Sequence, residues 1–258
     1  MKKTSIAIIY IIFLFHITFL NITDLKADSK TYPKKSTVII DPFDKLNIRG
    51  NVYIAYAWGE QLMFPLRFTR GLFNLNNAVI KWTQLNIVFD NHLMLSSERL
   101  LEMPFVYVTT DDLFELTKTE RKNVKKYFAN GGFMVLENSS PKSDFSMAEA
   151  SLKQMLRETI PNVRFSMIHN NHPLYHCFFD FSDGPPNGAE IGRFGNYLSQ
   201  QRYYLEGVWL KDRLVAIYSN KGYIIKWSNN TDNDPQLKMG VNMIVFALTQ
   251  DGGIANKE

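Results

Sequence analysis

Residues 104–140 read PFVYVTTDDLFELTKTERKNVKKYFANGGFMVLENSS. Phe105-Val-Tyr-Val-Thr109 is a continuous apolar run, as expected of a strand covered on both faces. Thr117 and Glu120 form a T-x-x-E capping box that starts a helix. Val124, Tyr127 and Phe128 give that helix its buried stripe, while Lys122, Lys125 and Lys126 face water. Gly131-Gly132 ends it, because glycine enters the left-handed conformation without a Cβ penalty. Phe133-Met-Val-Leu136 is a second buried strand, with Glu137 at its exit. Strand, helix and strand in this order predict an α/β sheet, largely parallel, with helices on both faces.

The flanking segments extend the pattern. Thr37-Val-Ile-Ile40 reads as a short edge strand and Asn51–Ala57 as the first core strand. A helix is predicted from Phe73 to Thr83, a strand over Asn86–Phe89 and one helical turn before Pro104. Further on come a helix over Ser146–Thr159 and a strand over Val163–Ile168. A loop-rich region follows from His169 to Gln200. Gly207–Tyr218 reads as a β-hairpin turning at Lys211-Asp212, Tyr223–Trp227 as an added strand and Met239–Thr249 as a closing helix.

The N-terminus carries an address. Lys2 and Lys3 precede the apolar run Ile6–Leu20, and a polar stretch ends at Leu25-Lys26-Ala27, the layout of a secretory signal peptide. The expected organisation is a signal peptide over 1–27, an N-terminal arm over 28–47, a single domain over 48–250 and a tail over 251–258. Export to the periplasm or another extracytoplasmic compartment follows, with membrane attachment only through that segment if it stays uncut. The chain has 258 residues, 45% of them hydrophobic, and can bury a sizeable core. Its formal charge of +4 is shared between the signal segment and the rest, so nothing favours nucleic acid as a partner. One cysteine, Cys177, allows no internal disulfide and no multi-cysteine metal cluster. No nucleotide fingerprint or phosphate loop is present, and no cofactor is expected.

Several of these segments together resemble the bacterial domain of unknown function 4159 family, a branch of the class I glutamine amidotransferase-like superfamily. They are Tyr56-Ala-Trp58, the Pro104–Thr109 strand and Tyr127–Leu136. His172-Pro-Leu-Tyr175 with Phe179 and Asp180, the Leu205–Ser219 hairpin and Gly240–Thr249 complete the set. The resemblance implies a flavodoxin-like, glutamine amidotransferase-like sheet with an added β-hairpin. Where amidotransferases present a nucleophilic cysteine on a tight elbow, this chain has Leu136-Glu137-Asn138. The resemblance implies an acidic pair there and an acidic residue after the hairpin, where this chain reads Asn220-Lys221-Gly222. It also implies envelope protein partners of the AAA ATPase and von Willebrand type.

The chemistry-bearing residues are few. Glu137 sits at a strand exit, where α/β crevices open, and suits either general acid–base work or the clasping of a turn. His169, His172 and His176 have the spacing of a helical zinc set, but Pro173 interrupts a regular helix, and no metal is expected. His172 reads first as a bridging or loop-stabilising residue, and in that role it could meet Glu137 or Asp180. Cys177 lies among Phe178, Phe179 and Phe181, an apolar setting that deadens a thiol. Trp58, Tyr203, Tyr204, Trp209 and Trp227 could form a stacking surface for glycans or simply fill the core. Trp58, Glu137, Asn138 and His172 are the expected ligand-binding residues. Two functions are therefore in play. The first is an exported, non-catalytic binding or assembly module of the cell envelope. The second is a hydrolase or lyase acting on envelope saccharide through Glu137 and His172, with Asp180.

Overall fold

The computed structural model describes residues 36–41, 43–63, 65–141, 146–190 and 203–256. The signal segment expected over 1–27 and the first part of the arm, residues 28–35, lie outside the described residues. From residue 36 the arm joins the sheet: Thr37–Asp41 forms β1, and β2 runs from Asp44 to Trp58, so its first residues come from the arm. The strands that follow are β3 (Gln84–Met94), β4 (Phe105–Thr110), β5 (Phe133–Asn138), β6 (Ser166–Met167), β7 (Glu206–Leu210) and β8 (Arg213–Ser219). The helices are α1 (Thr69–Trp82), α2 (Lys118–Ala129), α3 (Met147–Thr159), α4 (Tyr223–Trp227) and α5 (Asp234–Thr249).

These strands form one mixed sheet that is parallel through its centre. β3, β2, β4, β5 and β8 lie side by side and parallel; β1 runs antiparallel along the first part of β2, on the edge that β4 takes further along, and β7 and β6 are antiparallel additions beyond β8. Alternation along each strand builds two cores. Tyr56, Phe105, Tyr107, Val135 and Ile217 point to one face, under α1, α4 and α5. Ala55, Val106, Val108, Leu136 and Ala216 point to the other, under α2 and α3. Every residue of β4 and β5 is buried, which explains why neither strand shows polar alternation.

The segment that decides the fold behaves as its chemistry requires. The Thr117 hydroxyl accepts from Glu120 N–H, and the Glu120 carboxylate accepts from Thr117 N–H, closing the capping box. After α2, Gly131 takes φ of 92°. A Cβ on Gly132 would come within 2.4 Å of the Tyr127 ring. Only glycine lets the chain reverse there while the Tyr127 hydroxyl bonds both the N–H and the carbonyl of Phe133, locking the helix end to the strand start.

Four segments differ from the sequence reading. Tyr223–Trp227 is a helical turn, not a strand. Gly222 enters it at φ 63°, and Tyr223, Ile224 and Trp227 are buried at helical spacing. Local β-propensity there gives way to tertiary packing. The strand expected over Val163–Ile168 pairs only at Ser166–Met167. The closing helix also starts earlier than Met239, at Asp234, with Pro235 in its first turn. Residues 251–256, expected as a tail, include a helical turn whose Ile254 is buried and donates to Gly131 O at 3.2 Å.

Candidate functional site

Strand register brings four polar residues together at the exit of the central sheet. Thr109 of β4 pairs with Glu137 of β5, and Glu137 pairs with Ser219 of β8. Tyr107 lies two residues before Thr109 and so projects from the same face. The Tyr107 hydroxyl donates to Glu137 Oε2 at 2.5 Å, and the Ser219 hydroxyl donates to Oε1 at 2.8 Å. Ile224 N–H, at the start of α4, donates to Oε2 at 2.8 Å, and Tyr223 N–H adds a further favourable contact. The Thr109 hydroxyl takes the Glu137 carbonyl at 2.9 Å. Only 1% of Glu137 is exposed.

Burial pushes the Glu137 carboxyl above its ordinary range, and Tyr107, the two backbone amides and Ser219 pull it part of the way back. Burial, with the Glu137 charge beside it, also raises the Tyr107 phenol well above its usual value. A carboxylate offers about four lone-pair positions. Here the surrounding donors occupy them, so the group clasps β4, β5, β8 and α4 together rather than presenting a free oxygen.

The clasp has a roof. Lys221 Nζ pairs with Glu190 Oε1 at 2.9 Å, with both side chains about as buried as the core. Glu190 Oε2 accepts from Gly188 N–H at 2.6 Å, and Ala189 N–H donates to Lys221 O at 2.7 Å. The Tyr223 hydroxyl donates to Pro186 O at 2.6 Å. The loop over residues 184–190 is thereby fixed across the exits of β5 and β8. Asn138, fully buried, joins the same exits through the Asn220 side chain at 2.7 Å and accepts from Ser140 N–H at 2.9 Å.

His172 stands elsewhere. Its Nδ1 accepts from Leu174 N–H at 3.1 Å, and its ring packs against Phe246 and Trp209. It lines a cavity of about 820 Å³ with Gly131, Arg213 and Leu214, which mark the starts of β5 and β8. Gly131 and Glu137 are separated by about 20 Å of strand. The anticipated contact of His172 with Glu137 is therefore not made, and burial lowers the His172 pKa. Asp180 meets neither of them. It pairs with His176 Nδ1 at 2.5 Å and accepts from Ser182, contacts that lower its pKa. His176 Nε2 reaches Asn170 O at 2.7 Å.

Cys177 is packed with its Sγ 3.3 Å from Asn242 O, and burial pushes its thiol up to about 12. The aromatic residues do not form one platform. Trp58 stacks on His92 at the β2–β3 edge and donates to Asn91 O, Trp227 is fully buried, and Trp209 lies beside His172. Tyr203 and Tyr204 line a shared cavity, with Asn171 and Asp183.

One pairing that matters here escaped the sequence reading, and one residue does more than its reading gave it. Glu190 and Lys221 are 31 positions apart, with no spacing to join them. Glu120 was legible as a cap, but its Oε1 also accepts from Glu60 N–H at 2.8 Å, fastening the exit of β2 to α2.

The chain belongs to the family described as domain of unknown function (DUF4159), whose family model matches residues 64–248. No curated protein matches it. Among solved structures it is similar to a ThuA-like protein from Bacteroides uniformis ATCC 8492. The two are 13% identical, the match covers 80% of this chain and 95% of that one, and the TM-score is 0.39.

Proposed function

We propose that this member of the unknown-function family is an exported binding or assembly module on a flavodoxin-like, amidotransferase-type scaffold, without catalysis at the ancestral position. The parallel strands lie in the order β3-β2-β4-β5-β8. Numbered among themselves they read 2-1-3-4-5, the flavodoxin-like order, which supports the scaffold assignment. The observation that carries the function is Glu137. At the strand exit where an amidotransferase presents its nucleophile, this chain holds a buried carboxylate with its lone pairs occupied, closed over by α4 and the 184–190 loop. The only thiol in the chain is Cys177, packed against α5. Envelope proteins of the AAA ATPase and von Willebrand type are the proposed partners.

The rival reading, a saccharide-directed hydrolase or lyase using Glu137, His172 and Asp180, needs these groups around one substrate. Their placement at separate points of the fold counts against it.

Unfolding of two variants tests the proposal. Glu137→Leu keeps most of the volume but leaves Tyr107, Ser219 and Ile224 N–H without an acceptor, at about 1–3 kcal/mol each. A loss of about 3 kcal/mol or more is expected, whereas Glu137→Gln retains the fold. A Glu137→Leu protein as stable as the parent would remove the clasp and the proposal with it.

A further inference from the structure

We infer that the cavity at the starts of β5 and β8 binds a zwitterion with an apolar body, the chemistry of an apolar amino acid or a short apolar peptide with free termini. The inference goes beyond the binding-module reading and does not depend on the Glu137 clasp, which lies at the opposite ends of the same strands. The cavity measures about 820 Å³. That volume lies in the usual range for small-molecule sites, about 300–1,000 Å³.

Arg213 supplies the carboxylate end of the site. It opens β8 and lines the cavity. Its Nη1 donates to Gly131 O at 3.1 Å and Gly132 O at 3.0 Å, and its Nη2 donates to Phe128 O at 2.8 Å. These carbonyls, at the end of α2 and just beyond it, hold the guanidinium in place. Among the described residues no carboxylate forms an ion pair with it. A guanidinium carries five donors, so Nε–H and an N–H of Nη2 are left without a partner. A half-buried cation with donors to spare attracts an anion, and a carboxylate matches its planar edge. His172 adds a neutral donor. Its Nδ1 already accepts from Leu174 N–H at 3.1 Å, so the neutral ring carries its proton on Nε2, which makes no hydrogen bond among the described residues. Gln250 lines the same cavity, with its Nε2 enclosed and without a partner. An enclosed donor without an acceptor is destabilising, so rotation of this amide onto a ligand carboxylate is favoured.

Two aspartates supply the ammonium end. Asp212, in the turn between β7 and β8, and Asp251, in the turn after α5, are exposed and line the same cavity. Neither forms an ion pair among the described residues. Lys211, also exposed, adds a second cation beside Arg213. Both signs of charge are therefore present around one space. A plain anion meets the two aspartates, and a plain cation meets Arg213 and Lys211. A ligand that carries both charges satisfies both sets.

The apolar body has a surface to meet. Phe246 of α5, Leu214 of β8, Phe128 of α2 and the half-buried Leu210 line the cavity together. These walls are held before any ligand arrives. Ile254 N–H donates to Gly131 O at 3.2 Å, and Gln250 N–H donates to Phe246 O at 3.0 Å, which fixes the end of α5 against the start of β5. The His172 ring packs on Phe246 with centroids 5.4 Å apart. Pre-ordered walls lower the entropy that binding must overcome.

The test is calorimetry and amide NMR on the full chain. The probes are leucine and the dipeptide leucyl-leucine, with isocaproate lacking the ammonium and isoamylamine lacking the carboxylate, each at ~10 mM. At least one of the two zwitterions should bind with a dissociation constant of about 1 mM or tighter, and their comparison tells a single amino acid from a peptide. Isoamylamine should bind about tenfold more weakly or not at all, and isocaproate about threefold more weakly. The amide shifts should centre on Arg213, Leu214 and Gly252. Arg213→Gln should weaken zwitterion binding about tenfold or more. Asp212→Asn combined with Asp251→Asn changes two exposed turn positions that asparagine suits, so the melting temperature should not move. That double variant should lose the preference for the zwitterion over isocaproate, and it carries the test if Arg213→Gln does not fold. No binding of either zwitterion, isocaproate binding as tightly as the zwitterion, shifts centred elsewhere, or a preference that survives the double substitution overturns the inference. None of these results bears on the stability of Glu137→Leu, so the two readings fail separately.

Discussion

Replacing Lys221 by Met should destabilise the protein far more than an ordinary lysine substitution. The Lys221 and Glu190 side chains are 3% and 5% exposed, and Nζ and Oε1 stand 2.9 Å apart. Removal of the cation leaves the Glu190 carboxylate in the interior with Gly188 N–H as its donor at 2.6 Å. Breaking one side of a buried pair costs about 3–5 kcal/mol, because the remaining charge has lost its solvent and its partner. Against a total stability of about 5–15 kcal/mol, that is a large fraction. With a urea slope of about 2 kcal/mol per molar, the midpoint should fall by about 2 M. Glu190→Gln in the same protein removes the stranded charge and should return much of the loss. The double-mutant cycle should give a coupling of about 2 kcal/mol or more. Equilibrium urea unfolding followed by tryptophan fluorescence supplies all four values. A Lys221→Met protein within about 0.5 kcal/mol of the parent, the scale of a neutral surface change, would mean that the pair does not hold the roof over Glu137.

Two further outcomes follow from the buried groups. The Glu137 carboxyl has a raised pKa in the folded state, so the native chain holds its proton to higher pH than the unfolded chain does. Its stabilising contribution is therefore complete below the ordinary carboxylate range and falls as pH rises through the folded-state value. The pH dependence of unfolding should lose that downward component in Glu137→Gln, and an unchanged profile would contradict the burial of the group. Cys177, with its thiol near 12, exposes about one thiolate in ten thousand at pH 8. Iodoacetamide should leave the native protein unlabelled until it unfolds, and stoichiometric labelling of the folded chain within minutes would show an accessible, activated sulfur.

The run from Phe105 to Asn138 was legible because its signals are local. A capping box, a lysine-rich outer face and a glycine pair act over three or four residues, and tertiary packing has no reason to override them. Tyr223–Trp227 was misread because its β-formers share the same apolar surface whether extended or helical. Gly222 and the Glu137 carboxylate decide in favour of the helix, and neither is visible in the five residues themselves. The site follows the same division. Glu137 could be placed at a strand exit, since strand direction alone determines that position. Its partners Tyr107, Ser219 and Ile224 depend on register across three strands and a helix. A meeting of His172 with Glu137 would need the loop to return to the strand exits, whereas the loop carries His172 to the strand starts.

The most direct measurement is native-state amide hydrogen exchange at Ile224, whose N–H ends on the Glu137 carboxylate. If that carboxylate is sealed as a clasp, the Ile224 amide should exchange only through large-scale opening, with a protection free energy near the global stability of the protein. Exchange through an opening of about 2 kcal/mol or less would mean that α4 lifts readily and leaves Glu137 open to a substrate.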